Sequence, residues 1–153
     1  FSGVKRRFEF KGQTFKGALV YDDYAHNPQK VTAALAGARQ KYPSARIVVI
    51  FQPHLFSRTK FFLKDFAKAL AEVDCLILAP IYASREKDDG SINSKKLAEE
   101  ILKENPKKEI LLADSVSDAS KKAVEKGGVG DILLFMGAGD ITKASDEAVL
   151  KIN

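Results

Sequence analysis

From residue 17 onward the apolar positions of this chain alternate between two patterns. One is the short continuous run, at residues 17–22 (GALVYD), 46–51 (RIVVIF), 75–79 (CLILA), 109–113 (EILLA) and 131–136 (DILLFM). Runs of this length, rich in Val, Ile and Leu, are what strands covered on both faces require. The other is an apolar stripe at helical spacing. Over residues 28–42 it comprises Val31, Leu35, Ala38 and Tyr42, with Asn27 as N-cap and Pro28 at the first helical position. Over residues 60–73 it comprises Phe62, Phe66, Ala69, Leu70 and Val73, and over 94–104 it is Leu97 and Ile101. Further helices are expected at 115–126, ended by Gly127-Gly128, and at 141–152. Ahead of the alternation, residues 5–10 (KRRFEF) have period-two character and Lys11-Gly12 offers a turn, so an antiparallel hairpin should lead into the run at 17–22.

Buried strands alternating with amphipathic helices predict an α/β fold, a mostly parallel sheet flanked by helices, with an N-terminal antiparallel hairpin. No repeat or low-complexity linker interrupts residues 1–153, which are read as a single domain long enough to bury a core. The longest irregular stretch, residues 81–93 (IYASREKDDGSIN), is either a plain surface loop or a functional one.

Charge narrows the picture only a little. The balance of 25 Lys+Arg against 20 Asp+Glu gives +5, which suits an anionic ligand. The basic residues are scattered among acids, and no aromatic-basic motif of a nucleic-acid binder is present, so no nucleic-acid partner is expected. The apolar runs are too short to cross a bilayer and no signal peptide opens the sequence, so neither membrane nor export is expected. The single cysteine, Cys75, lies inside an apolar run and reads as a small buried hydrophobe. The absence of a disulfide framework is consistent with a cytoplasmic location.

Candidate chemistry follows from the topology. In an open parallel sheet, ligands bind beyond the carboxyl ends of the strands. That rule selects the loops at residues 22–27 (DDYAHN), 52–59 (QPHLFSRT), 80–88 (PIYASREKD) and 137–140 (GAGD), and both histidines of the chain, His26 and His54, fall in them. Asp22 and Asp23 precede a helix, either as acceptors for ribose hydroxyls or in a water-mediated metal contact, or else as helix-dipole and capping groups. His54 and Arg58 stand where a turn enters a helix: either they are a surface arginine and a loop histidine, or they grip an anion, since backbone N–H groups favour anions there and arginine offers a planar fork for a carboxylate. Gly137-Ala138-Gly139 is either a tight turn or a phosphate contact. No third and fourth ligand accompanies Asp-Asp-Tyr-x-His at metal-site spacing, so no protein-held metal is expected. No GxxxxGK[ST] phosphate loop occurs in the sequence.

These motifs in this order, GVKRRF (3–8), DDYAHNP (22–28), FQPHLFSRT (51–59), IYASREK (81–87) and MGAGDI (136–141), resemble the C-terminal domain of the Mur ligases, in particular those that add alanine. The resemblance implies a Rossmann-like fold and a part in an ADP-forming amide ligation during peptidoglycan biosynthesis. In that reaction ATP, with Mg2+, activates the carboxylate of UDP-N-acetylmuramate as an acyl phosphate, and the amine of L-alanine attacks it. The UDP-binding and central ATPase domains of such a ligase are not represented here, which accounts for the missing phosphate loop; alone, this domain is expected to be inactive. By the same resemblance, Arg7 would approach the γ-phosphate, Asp23 the ribose, and His26 and Asn27 the adenine, while Tyr24, His54 and Arg58 would hold L-alanine. The sequence departs from the family pattern at Leu55, often arginine, and at Asn27, often a second histidine. Two alternatives remain at this stage: the related ligase that attaches a recycled tripeptide, and a non-catalytic nucleotide-binding module of Rossmann-like fold.

Overall fold

The computed structural model describes residues 6–150. The start of the first expected strand at Lys5, part of the GVKRRF motif and the last residues of the final helix lie outside them. Strands β1 (Glu9–Gln13) and β2 (Leu19–Asp23) form the antiparallel hairpin. The chain continues through α1 (Pro28–Lys41), β3 (Ile47–Phe51), α2 (Phe56–Phe61), α3 (Leu63–Leu70) and β4 (Cys75–Leu78). It ends with α4 (Ser94–Glu104), β5 (Ile110–Leu112), α5 (Val116–Lys126), β6 (Ile132–Met136) and α6 (Ile141–Ala148). The six strands form one sheet in the order β1-β2-β6-β3-β4-β5, parallel throughout except for the β1–β2 pair.

Alternation along each strand divides the core into two layers. Tyr21, Val49, Phe51, Leu76, Leu78, Leu134 and Met136 face the layer completed by Val31 and Ala38 of α1, Phe66 and Leu70 of α3, and Leu97 and Ile101 of α4. Val20, Val48, Ile50, Ile77, Leu133 and Phe135 face the other, closed by Ala119 and Ala123 of α5 and Ile141 and Ala144 of α6. From β2 to β5 the chain steps in one direction with its helices on the first face. It then returns to β6 with α5 on the second face, so all four crossovers share one hand. Cys75 is a free, buried thiol within the second layer, and burial pushes its pKa up to about 11, as suits an inert hydrophobe.

Two boundaries differ from expectation. Lys11-Gly12 is not the hairpin turn: the strand runs through it with a bulge between Phe10 and Gly12, and the turn is Thr14 to Gly17, where Gly17 N donates to Thr14 O at 2.9 Å. Gly12 has φ +136°, and a Cβ there would lie 2.8 Å from Val149 Cγ1, so the glycine serves a bulge and a close approach. The helix expected at 60–73 begins four residues earlier and is broken at Phe62 (φ −101°, ψ 23°) into α2 and α3. Part of the loop at 52–59 is therefore helical.

Asn27 and Pro28 open α1 as the sequence predicts: the Asn27 side chain accepts from Lys30 N at 2.9 Å. Asn27→Ala is expected to lower stability by about 1 kcal/mol, measured by thermal or urea denaturation, because one N-terminal donor loses its partner.

Candidate functional site

The carboxyl ends of β2, β6, β3 and β4 are neighbours in the sheet, so the four loops selected from the sequence meet along one edge. At the end of β2, Asp22 is fully buried. Arg6 Nε donates to its Oδ2 at 2.8 Å and Arg6 Nη2 to its Oδ1 at 3.3 Å, while Thr142 Oγ1 donates to Oδ2 at 2.8 Å. The same Nη2 donates to Gly137 O at 2.6 Å, and the guanidinium lies 5.2 Å from the Tyr24 ring centroid. Arg6 thus ties the segment entering β1 to the ends of β2 and β6.

Asp23 is buried as well, and its two oxygens accept Phe8 N and Ala25 N, each at 2.8 Å. Burial raises its pKa, opposed by those two N–H bonds. Neither aspartate caps α1; Asn27 does. Arg7, the expected phosphate contact, is exposed, whereas its neighbour Arg6 is turned inward.

Tyr24, His26, His54 and Arg58 are brought together from three elements. His26 lies edge-on to Tyr24 at 5.0 Å and to His54 at 6.1 Å between ring centroids, and its Nδ1 is 3.0 Å from Tyr24 O. The His54 ring stacks on Tyr82 at 5.4 Å with 13° between planes, and its Nδ1 is 3.3 Å from Arg58 Nη1. A guanidinium only donates, so Nδ1 accepts and the neutral ring carries its proton on Nε2. Burial, then the charge of Arg58, then His26 hold the His54 pKa below its ordinary value, against the pull of Glu86.

Where α2 begins, Ser57 N donates to Glu86 Oε1 at 3.1 Å and Ser57 Oγ bonds Glu86 Oε2. The N–H expected to attract an anion here is already occupied, and its anion is a carboxylate of the β4–α4 loop. Leu55, at φ +70° and ψ 135°, sits in a backbone region that disfavours branched side chains, a cost of order 1–3 kcal/mol carried next to His54. Its N–H donates to Tyr82 O at 2.8 Å and its carbonyl accepts Thr59 N and Thr59 Oγ1, which hold that conformation in place.

A groove of about 1290 Å³ runs from this edge between α1 and the α2–α3 pair. His26, Asn27, Thr32, Leu35, Arg58 and Phe62 are among its lining residues. Two of the expected nucleotide residues and one of the expected amino-acid residues therefore border the same cleft. Among the described residues no group of three or more His, Cys, Asp or Glu side chains could hold a metal ion.

Residues 6–139 match the sequence profile of the family described as Mur ligase, glutamate ligase domain. The chain belongs to the Mur ligase family. It is 42% identical over 153 residues to a UDP-N-acetylmuramate–L-alanine ligase of Chlorobium phaeovibrioides, which takes in 96% of this chain and 32% of the relative. It is 45% identical over 147 residues to the ligase of the same name from Lachnospira eligens, covering 96% of this chain and 31% of that one. The crystal structure of the UDP-N-acetylmuramate-alanine ligase of Thermotoga maritima superposes with a TM-score of 0.74 at 30% identity, over 96% of this chain and 30% of that one. The chain therefore spans about a third of the length of the relatives it matches.

In this Mur ligase domain, two residues that the sequence does not single out, Tyr82 and Gln52, organise the site together with Arg6. Arg6 was one of an adjacent pair, and nothing in the local pattern told it from Arg7. Tyr82 lay in the IYASREK stretch, and an exposed-loop aromatic beside a strand end was the available signal. Gln52 is 3% exposed; its Nε2 donates to Asp140 Oδ1 at 2.7 Å and its Oε1 accepts Ile141 N at 3.1 Å, joining the β3 and β6 loops. The glycines of Gly137-Ala138-Gly139 have packing reasons: Cβ atoms there would lie 2.8 Å from Gln52 O and 2.6 Å from Tyr82 Cγ respectively.

Proposed function

We propose that this chain is the amino-acid- and nucleotide-binding part of an ADP-forming ligase that joins L-alanine to UDP-N-acetylmuramate in peptidoglycan biosynthesis. The observation that supports it best is the convergence of Tyr24, His26, His54 and Arg58 at one sheet edge, in a chain 42–45% identical to ligases of that name. Arg58 would take the alanine carboxylate through its planar fork, and the Nε2–H of His54 would donate to the same group. Tyr24 would wall the methyl side. Fixing the carboxylate presents the amine in one direction, which is the positioning an attack on an activated acyl group needs.

Arg7 would meet the terminal phosphate of ATP, Asp23 the ribose through its remaining lone pairs, and His26 and Asn27 the adenine at the mouth of the groove. Mg2+ would come with the ATP, and no residue of this chain is assigned to it. Such substrates place the reaction in the cytoplasm, and among the described residues no helix is long and apolar enough to cross a membrane.

The test is ADP release. Joined to UDP-binding and central ATPase domains of its own family, the chain should support release that requires both UDP-N-acetylmuramate and L-alanine; the 153 residues alone should release none. Turnover by the 153 residues alone would contradict the reading, as would a folded, joined protein that is inactive with L-alanine.

A further inference from the structure

Tyr82 lies between two loops and touches both. Its backbone forms an isolated parallel bridge with His54: Tyr82 N donates to Pro53 O and Leu55 N donates to Tyr82 O, each at 2.8 Å. Its ring lies nearly parallel to the His54 imidazole, 13° apart and 5.4 Å between centroids. On the side of the β6 loop there is no room: a Cβ on Gly139 would fall 2.6 Å from Tyr82 Cγ and 2.7 Å from Gln52 Oε1. Gln52 cannot easily yield, because it is buried and bonded to Asp140 and Ile141. The phenol ring is thus wedged between a glycine backbone held by Gln52 and the plane of His54.

Two constraints then define the imidazole completely. Stacking on Tyr82 fixes the ring plane, and the 3.3 Å approach of Arg58 Nη1 fixes which nitrogen accepts. We propose that Tyr82 is the positioning residue of the amino-acid site, acting through His54, and that Gly139 is the space that admits it. With the plane and the tautomer set, the Nε2–H of His54 points in one direction as a donor beside Arg58. Without Tyr82 the ring is free to rotate about its χ2 bond, a broad torsion with low intrinsic preference, which carries Nδ1 away from Arg58 Nη1 and leaves neither tautomer selected. The part of this statement that concerns the substrate rests on the ligase reading; the part that concerns the imidazole does not.

The groups facing His54 are Arg58 from α2, His26 from the β2–α1 loop, and Glu86 and Tyr82 from the β4–α4 loop. Loss of the ring cover exposes the imidazole to water, which relieves its desolvation. The chain has two histidines, so long-range proton–nitrogen NMR correlations resolve both imidazoles of the 153-residue chain. The parent chain should show His54 with Nδ1 unprotonated and Nε2 protonated, titrating below the ordinary value of about 6.5. Tyr82→Phe, which keeps the flat face, should leave both features unchanged. Tyr82→Leu, which keeps bulk without the face, and Gly139→Ala, which displaces the ring from the other side, should give mixed tautomers and a midpoint moved up toward about 6.5. An amide spectrum of each variant shows that it is folded. In the joined ligase, Tyr82→Leu should raise the KM for L-alanine roughly tenfold, the worth of one well-placed hydrogen bond, and leave the KM for ATP unchanged. A folded Tyr82→Leu chain with the parent tautomer and midpoint overturns the positioning role, whatever the kinetics. A changed imidazole with an unchanged KM for L-alanine overturns its connection to the substrate and counts against the ligase reading instead.

Discussion

Replacing Arg58 by alanine in a ligase that carries this domain is expected to raise the KM for L-alanine by roughly 100-fold, the upper part of the range for hydrogen bonds to a charged group. Arg58 is half-buried in the first helical turns after β3 and borders the groove. It is the cation that the sheet edge directs toward the residues gathered around His54. Lysine should restore only part of the affinity, since a point charge cannot make two parallel bonds to a carboxylate. The change also removes the donor to His54 Nδ1 and the charge that disfavours a second cation beside it, so the His54 midpoint should rise in the same variant. Kinetics with L-alanine varied at saturating ATP and sugar nucleotide, together with an NMR titration of the variant chain, read both effects. An unchanged KM would remove Arg58 from the amino-acid site.

The largest effect on stability is expected from Arg6. Its guanidinium is bonded twice to Asp22, a carboxylate with no exposure to solvent, and once to Gly137 O. Arg6→Met would leave a buried charge with, among the described residues, only the Thr142 hydroxyl as side-chain partner. The expected loss is about 3 kcal/mol, the scale on which half of a buried ion pair is missed. Asp22→Asn should cost less, because the Arg6 side chain is 19% exposed and can turn its charge to water. The asymmetry separates an ion pair that protects a buried carboxylate from one that merely decorates the surface. Urea denaturation of the two variants measures it, and equal small losses of under about 1 kcal/mol would place the pair in the surface class.

Most of the fold was legible because its signals are local and redundant. Continuous apolar runs marked β2 through β6, and helical stripes with good caps marked α1, α4 and α5 to within a residue or two. The strand-edge rule then found the loops that meet, without any contact being known. What was not legible depended on other parts of the chain. Gly12 looked like a turn residue because φ above zero is needed in turns and bulges alike; Val149, over a hundred residues away, decides between them. Phe62 carries an apolar side chain at the right period for one long helix, yet the backbone breaks there, and periodicity has no mark for such a break.

The same distinction holds in the site. Tyr24, His26, His54 and Arg58 could be named from loops and motifs because each ends or follows a strand. The choice of Arg6 over Arg7 as the inward residue depends on Asp22 and Gly137, which are distant in sequence. Tyr82 matters through an imidazole on another loop and a glycine on a third, a relation that no spacing encodes. The likeness to the family reaches the residues that would touch substrate more readily than those that hold them.

The claim at the centre of this account is that the edge built by Tyr24, His54 and Arg58 selects L-alanine. It is tested most directly by amino-acid competition in the joined ligase. UDP-N-acetylmuramate and ATP are supplied with equal concentrations of L-alanine and the tripeptide L-alanyl-γ-D-glutamyl-meso-diaminopimelate, and the products are weighed by mass spectrometry. The account predicts UDP-N-acetylmuramoyl-L-alanine as the dominant product, with that product falling sharply in Arg58→Ala. A dominant tripeptide adduct, or an alanine product indifferent to Arg58, would contradict it.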